Sequence, residues 1–152
     1  MRVSQDFVDL LQSFDDHEVE FLIVGAHALA AHGHVRATKD LDVFIRPSPE
    51  NAARAHRALA AFGAPLEDLT VEDLATEGTV FQIGVAPVRI DILTHIDGVS
   101  FDEAYRERVQ TRFGGRNVSV LSRHHLIATK RAPGRLHALA AVARLEHPDD
   151  CP

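Results

Sequence analysis

The alternation of short strand patterns with helical patterns is the feature that most restricts the fold of this chain. Residues 19–25 (VEFLIVG) form an apolar, β-branched run that ends in glycine, as buried strands often do. Residues 40–46 (DLDVFIR) alternate strictly between two faces and stop before Pro47. Residues 79–95 contain two alternating runs joined around 84–87, which is typical of a hairpin.

Helices are predicted before, between and after these strands. Ser4 is a candidate N-cap for the first helix, and Ser48 followed by Pro49 marks the start of a helix that ends at Gly63. The predicted helical segments are 4–14, 26–33, 49–63, 101–109 and, with a break near 133–134, 122 to about 146. An acidic stretch over 66–78 is typical of a short helix and loop, and 112–122 of a turn and a short strand. The order predicts a mixed α/β (α+β) fold, a small mixed sheet flanked by helices.

Length and composition favour one globular domain over 1–152, with a core at about 4–121 and a C-terminal helical segment at about 122–147. The single cysteine, Cys151, cannot form an intramolecular disulfide, and the longest apolar stretch, 21–31, is too short to span a bilayer. We therefore expect a cytoplasmic protein without membrane contact.

The net charge of −6 argues against a general polyanion binder. A local basic patch would still allow RNA binding if five arginines cluster, and the sequence leaves clustered and scattered arrangements equally open. These arginines are Arg106, Arg108, Arg112, Arg116 and Arg123.

Three aspartates in strand patterns are the candidates for chemistry. Asp40 and Asp42 are separated by one residue, Leu41, so on a strand they point to the same face, roughly 6.6 Å apart along the backbone. Asp91 lies much later in the chain, between Ile90 and Ile92. If the two strands pair, three carboxylates converge and would need a hard, oxygen-seeking cation such as Mg²⁺ to offset their repulsion. The alternative is that these aspartates end strands or pair with arginines.

Gly25 stands where the first strand passes into the next helix. A glycine there lets the backbone approach a phosphate closely, and the first amides of the helix point toward it. The alternative is a glycine required only for tight packing.

The ten histidines and the short sequence motifs give little support to zinc enzymes, serine hydrolases or P-loop enzymes. His32, His34, His124 and His125 form the tightest histidine clusters, but no cysteine or acidic residue completes a zinc set by spacing. We expect His32 to be structural, with its ring hydrogen-bonded near the turn, and the other three to lie on the surface. The sequence contains neither a Gly-x-Ser-x-Gly hydrolase motif nor a P-loop.

The segment 24–46, VGAHALAAHGHVRATKDLDVFIR, resembles the signature of the DNA polymerase beta-like nucleotidyltransferase superfamily. That signature is a glycine-led turn and helix, an Asp-x-Asp strand, and a later single Asp in an apolar strand. More narrowly, His32-Gly33, Arg36, Thr38 and the Asp-Leu-Asp run resemble bacterial stand-alone members grouped with AbiEii-type toxins and the minimal nucleotidyltransferases. The tail, 121–146, resembles the helical end of that group.

The resemblance implies a nucleotidyltransferase fold with C-terminal helices, and transfer of a nucleoside monophosphate from a triphosphate such as ATP to an acceptor hydroxyl. Asp40 and Asp42 would hold Mg²⁺ or Mn²⁺ ions and the triphosphate, and Asp91 would bind the catalytic ion and help to activate the hydroxyl. The nucleotide-binding residues implied in the same way are Gly25, Ala26, His27, Arg36, Thr38 and Lys130.

The chain departs from the pattern in two places. Ala26 stands where the superfamily usually has Gly or Ser, and Ala138 and Ala141 stand where relatives usually carry acidic residues. A catalytically inactive binding or regulatory module with the same fold is therefore the alternative function. The acceptor is open between transfer RNA, a protein side chain and a small aminoglycoside-like molecule. A toxin-type role, with a cognate antitoxin or a second copy of the chain as partner, is implied by the resemblance only.

Overall fold

A computed structural model describes residues 4–33, 40–85 and 88–130. These residues form six helices and one six-stranded sheet. The helices are α1 (Gln5–Asp16), α2 (Gly25–Ala31), α3 (Pro49–Phe62), α4 (Val71–Leu74), α5 (Phe101–Arg106) and α6 (Arg123–Lys130). The strands are β1 (Phe21–Val24), β2 (Asp40–Ile45), β3 (Val80–Val85), β4 (Val88–Leu93), β5 (Val109–Phe113) and β6 (Arg116–Val120).

The sheet is mixed, with the strand order β3-β4-β2-β1-β6-β5. β1 lies antiparallel to β2 and parallel to β6, while β2 and β4 run parallel. The pairs β3–β4 and β5–β6 are antiparallel hairpins. The predicted α/β class with helices flanking a small mixed sheet is confirmed.

Local signals account for the helix boundaries. The Ser48 side chain accepts a hydrogen bond from the Asn51 amide at the start of α3, and Gly63 ends that helix in the left-handed conformation. The predicted stripe on α1 is buried through Phe7, Leu10, Leu11 and Phe14. Ser4 precedes α1 as expected, but its side chain makes no capping hydrogen bond.

The region after α5 differs from the prediction. The helix predicted over 101–109 ends at Arg106, and Val109–Phe113 form the edge strand β5, which pairs with β6. β5 has only one buried residue, Phe113, so it shows no clear alternation that would distinguish it from a helix. The predicted tail beyond 130, including Ala138 and Ala141, lies outside the described residues.

None of the helices within the described part of the chain is both long and apolar enough to traverse a bilayer.

Candidate active site

The pairing of β2 with β4 brings two of the candidate carboxylates side by side. Asp42 lies opposite Asp91, and Asp40 lies opposite Arg89. Adjacent strands are about 4.8 Å apart, and paired residues point to the same face, so Asp42 and Asp91 are direct neighbours. The strand pairing on which the sequence argument depended is therefore present. All four of these residues occupy one polar face of the sheet.

The backbone at Gly25 fits closely against Asp42. Val24, the last residue of β1, is paired with Asp42, and Gly25 follows with a φ of +71°. A Cβ placed on Gly25 would collide with Oδ2 of Asp42. Glycine is therefore required here both by the left-handed backbone and by the carboxylate beside it. The first residue of α2 is consequently in direct contact with one of the candidate metal ligands.

Arg89 is a part of this face that the motif did not reveal. Its Nη2 lies 3.1 Å from Oδ2 of Asp40, and its Nε lies 3.4 Å from Oδ1 of Asp91. The second contact is an ion pair without hydrogen-bond alignment, because both atoms are buried and lack a hydrogen-bond partner among the described residues. The alternation of β4 could have revealed it, since Arg89 precedes Asp91 by two residues and must share its face.

The electrostatics of Asp91 reflect these neighbours. Burial raises the pKa of the Asp91 carboxyl, and the negative charge of Asp40 raises it further. The Arg89 guanidinium and a hydrogen bond with the Asp42 side chain act in the opposite direction and lower it. The net effect is a pKa above the usual value, so holding Asp91 ionised beside the other carboxylates is unfavourable without further positive charge.

The donor chemistry of the face fits a hard divalent cation. Carboxylate oxygens are the ligands that Mg²⁺ and Mn²⁺ prefer, and Oδ1 of Asp91 is a buried oxygen without a hydrogen bond. However, no three His, Cys, Asp or Glu side chains in the described ranges are already grouped as metal ligands. Asp40 in particular is held by Arg89. An ion bound by all three aspartates would therefore share Asp40 with Arg89 or displace the Arg89 guanidinium.

The residues predicted to bind the nucleotide fall into different surroundings. The His27 ring is buried between Phe7 and Phe113, with ring centroids 5.6 and 5.1 Å away. Its side chain thus belongs to the core, and only its backbone amide could contact a phosphate. Ala26 is the second residue of α2 and Lys130 the last of α6. Arg36 and Thr38 lie outside the described residues.

The histidine predictions have mixed outcomes. His32 is structural as expected, since its Nε2 lies 2.9 Å from the carbonyl oxygen of Leu121. His124 is exposed, but the prediction for His125 was wrong: it is 4% exposed, with Nε2 3.5 Å from a carboxylate oxygen of Glu107. The place of His125 in the first turn of α6, with the backbone amide donating to Oγ of Ser122 and the ring beside Glu107, keeps it from the surface. His34 lies outside the described residues.

A cleft of about 280 Å³ opens beside Gly25 and Asp42 on the polar face. It is bounded by the ends of β1 and β4, the segment after β4, the start of β3, and α6. Its lining residues are Val24, Gly25, Asp42, Val80, Leu93, His95, Ile96, Asp97, Leu126 and Thr129. The segment after β4 carries no motif, so its position near the aspartates is seen only in the structure.

Solved structures similar to this one are nucleotidyltransferases. TM1012 of Thermotoga maritima, assigned as a nucleotidyltransferase, superposes with a TM-score of 0.57 at 13% identity, over 97% of this chain and 91% of that one. The lincosamide antibiotic adenylyltransferase LnuA, solved with lincomycin, gives 0.57 at 11% identity, covering 96% and 98% of the two chains. ANT(2")-Ia, solved with adenylyl-2"-tobramycin, gives 0.56 at 16% identity, covering 91% and 84%. The chain has the fold of these nucleotidyltransferases.

At the level of sequence, neither a protein-family model nor a curated protein matches the chain.

Proposed function

We propose that this protein is a metal-dependent nucleotidyltransferase that moves a nucleoside monophosphate from a nucleoside triphosphate to a hydroxyl of an acceptor. The observation that carries the proposal is the row formed by Gly25, Asp42 and Asp91. The two aspartates are paired across parallel strands, and Asp42 lies against the glycine that opens α2. The likeness in fold to nucleotidyltransferases supports the same assignment.

Each residue has a defined part in the proposed reaction. Asp40, Asp42 and Asp91 would hold Mg²⁺ or Mn²⁺, and the bound ions would neutralise the triphosphate and stabilise the charge that develops during displacement. The acceptor oxygen forms a bond to the α-phosphorus, the bond to the β-phosphate oxygen breaks, and pyrophosphate leaves. Asp91 is proposed to help remove the hydroxyl proton.

The phosphates are proposed to lie along the start of α2, against the backbone of Gly25, Ala26 and His27. Arg36, Thr38 and Lys130 complete the proposed nucleotide-binding set. The collision that any side chain at Gly25 would make with Asp42 shows that the start of α2 lies against a proposed metal ligand, so phosphates bound there would be beside the metal ions.

A labelling experiment tests the assignment and seeks the acceptor together. Cell lysate supplies acceptors, and each of the four α-labelled triphosphates is tested with the wild type and with Asp40→Asn, Asp42→Asn and Asp91→Asn. We expect label transfer by the wild type and at least a thousandfold less by each variant, because each removes a charge that the transition state requires. Asp68→Asn, in an exposed loop, is the matched control. Equal labelling by the wild type and the three variants would contradict the site.

The acceptor class is proposed by resemblance to be a macromolecule, transfer RNA or protein. Several of the arginines considered for RNA binding are engaged within the chain: Arg116 with Asp15, Arg112 with the Gly115 carbonyl, and Arg108 with the Tyr105 carbonyl. Antibiotics are the acceptors named for LnuA and ANT(2")-Ia, so lincomycin and tobramycin are added to the labelling experiment as small-molecule candidates.

A toxin-type role, with an antitoxin partner or a second copy of the chain, and a cytoplasmic location rest on sequence alone. The toxin-type role predicts that expression of the wild type slows bacterial growth and that Asp42→Asn removes the effect. Growth unaffected by the wild type would contradict the toxin role but not nucleotide transfer.

The inactive-module alternative is favoured by one observation, the Arg89 side chain between Asp40 and Asp91. If Arg89 permanently replaces the metal, triphosphates bind weakly or bind without turnover. Calorimetric titration with Mg²⁺ and each triphosphate, compared with Asp42→Ala, separates the two functions. Binding without pyrophosphate release over many acceptors would support the module.

A further inference from the structure

We infer that the cleft beside Gly25 and Asp42 holds the nucleoside of the triphosphate, and that the His95–Asp97 pair determines which nucleoside is accepted. This inference rests on the proposed function and adds the residues that select the donor. Nε2 of His95 lies 3.1 Å from Oδ1 of Asp97, so the ring and the carboxylate orient one another at the edge of the cleft.

The position of the cleft identifies its occupant. Its lining includes Gly25 and Asp42, where the phosphates are proposed to lie, and extends from there toward Leu93 and Val80. Asp91 does not line it, although it neighbours Asp42. The group in the cleft is therefore the one attached to the phosphates.

The acceptor has a separate approach on the far side of Asp91. Gln82 of β3 is paired with Asp91 there, is exposed, and is absent from the lining of the cleft. An acceptor hydroxyl arriving from this side would meet Asp91 without entering the cleft.

The chemistry of the lining fits a nucleoside. Aliphatic side chains make up five of the ten lining residues, which offers a flat base an apolar surface beside polar groups. The volume of 280 Å³ is near the lower end for small-molecule sites, about 300 Å³. These side chains are Val24, Val80, Leu93, Ile96 and Leu126. An ionised carboxylate only accepts hydrogen bonds, so Asp97 favours a base amino group or a sugar hydroxyl as its partner.

Phosphate is a poor occupant of the same space. Of the described lining residues none is Lys or Arg, while two, Asp42 and Asp97, are acidic. A polyanion such as an RNA backbone would meet repulsion there. The cleft consequently suits the uncharged part of a nucleotide whose phosphates lie at the Gly25 end with their metal ions.

The segment that carries His95 and Asp97 is held firmly in place. Thr94, which is 1% exposed, donates a hydrogen bond to the Thr76 carbonyl and accepts one from the Thr79 amide. On the other side, Gly98 has a φ of +84° and packs so closely on α6 that a Cβ would lie 2.8 Å from the Ala128 carbonyl oxygen. The two anchors fix the edge of the cleft against α6, which makes a selective contact feasible.

The test compares ligands with and without a nucleoside. In the presence of Mn²⁺, the wild type is titrated with the four ribonucleoside triphosphates, their 2′-deoxy forms and inorganic tripolyphosphate. Asp97→Asn keeps the shape of the side chain and removes its charge, and Val80→Trp fills the cleft from a residue that is 59% exposed. Asp68→Asn is again the control, and circular dichroism confirms that each variant is folded.

We expect Asp97→Asn to weaken the preferred triphosphate about tenfold and to reduce discrimination among the nucleosides, since a charge-assisted hydrogen bond is lost. Val80→Trp should weaken all nucleoside triphosphates, and neither variant should change tripolyphosphate binding. The deoxy series shows whether Asp97 contacts the sugar or the base. Unchanged nucleotide affinity in both variants would overturn the inference and leave the proposed function standing. Failure of the wild type to bind any triphosphate or tripolyphosphate would overturn both.

Discussion

The two faces of the β2–β4 pair differ sharply in what they contribute. On one face Leu41, Val43 and Ile92 are fully buried in the core. On the other face, Asp42 and Asp91 lie side by side, and the pKa of Asp91 is raised by burial and by the charge of Asp40. Because side chains alternate strictly along a strand, the apolar face fixes the register, and the polar face must accept the neighbours that this register imposes. Burial of the apolar face thus fixes a strand register in which the carboxylates of Asp42 and Asp91 lie side by side on the other face, although they repel one another.

The largest effect that this comparison predicts is on the apolar face. Ile92→Ala should lower the free energy of unfolding by about 3 kcal/mol, because it removes buried methyl groups and leaves a cavity. Leu93→Ala, one residue further along and partly exposed on the polar face, should lower it by only about 1 kcal/mol. Urea unfolding of both variants provides the measurement. Equal losses would show that the two faces are not energetically distinct.

Gly25 joins the polar face to the start of α2, and its replacement should have the next largest effect. Gly25→Ala forces a side chain into the left-handed region and against Asp42, with an expected loss of about 2–3 kcal/mol. Gly63→Ala, at a φ of +98° with open space around it, should lose only about 1 kcal/mol from backbone strain. In an Asp42→Ala background the extra loss at Gly25 should disappear. An unchanged loss there would mean that Asp42 is not the cause.

Asp91→Asn should stabilise the metal-free protein, opposite to the effect of most buried substitutions. A raised folded-state pKa means that the folded protein binds more protons than the unfolded chain, so stability falls as pH rises from 3.8 through the folded pKa. At neutral pH the neutral amide avoids this loss, so the metal-free variant is expected to unfold at a higher temperature than the wild type.

The measurement is thermal unfolding at neutral pH, with and without Mn²⁺, alongside Asp68→Asn. Mn²⁺ should raise the melting temperature of the wild type more than that of Asp91→Asn, since a bound cation relieves the repulsion that the variant has already lost. A less stable metal-free Asp91→Asn protein would show that the Arg89 ion pair outweighs the repulsion.

Much of the fold and part of the candidate site follow from local patterns. Strict alternation placed Asp40 and Asp42 on one face, and Ile90 and Ile92 identified Asp91 as a strand residue facing the other way. β5 could not be predicted because a mostly exposed edge strand has no buried stripe to show.

The cleft could not be predicted for a different reason. His95 and Asp97 reach the site only because Gly98 lets their segment pack against α6, which is a tertiary contact without a sequence signal. The ion pairs of Arg89 are a different case, because Arg89 lies two residues before Asp91 on β4 and strand alternation places both on one face. Local periodicity therefore reveals which residues share a face of a strand. Which residues meet across different strands, helices and loops is seen only in the structure.

The smallest predicted effect concerns His27, which is two residues after Gly25 in the sequence but has its ring in the core. Burial lowers the pKa of its imidazole below 6.5, with Asp40 partly opposing, and its Nε2 has no hydrogen-bond partner among the described residues. The unfolded chain therefore binds the proton more readily, and stability that is present above pH 6.5 is lost as the pH falls. His27→Leu should remove this loss, so the variant should lose less stability than the wild type between pH 7.5 and 5. Urea unfolding of both proteins at the two pH values measures it, with the exposed His124→Leu as control. If His27→Leu keeps the full wild-type pH dependence, the His27 ring is reached by water or by a proton acceptor. The contrast between the acidic face of the sheet and the apolar core would then fail at His27, two residues after Gly25.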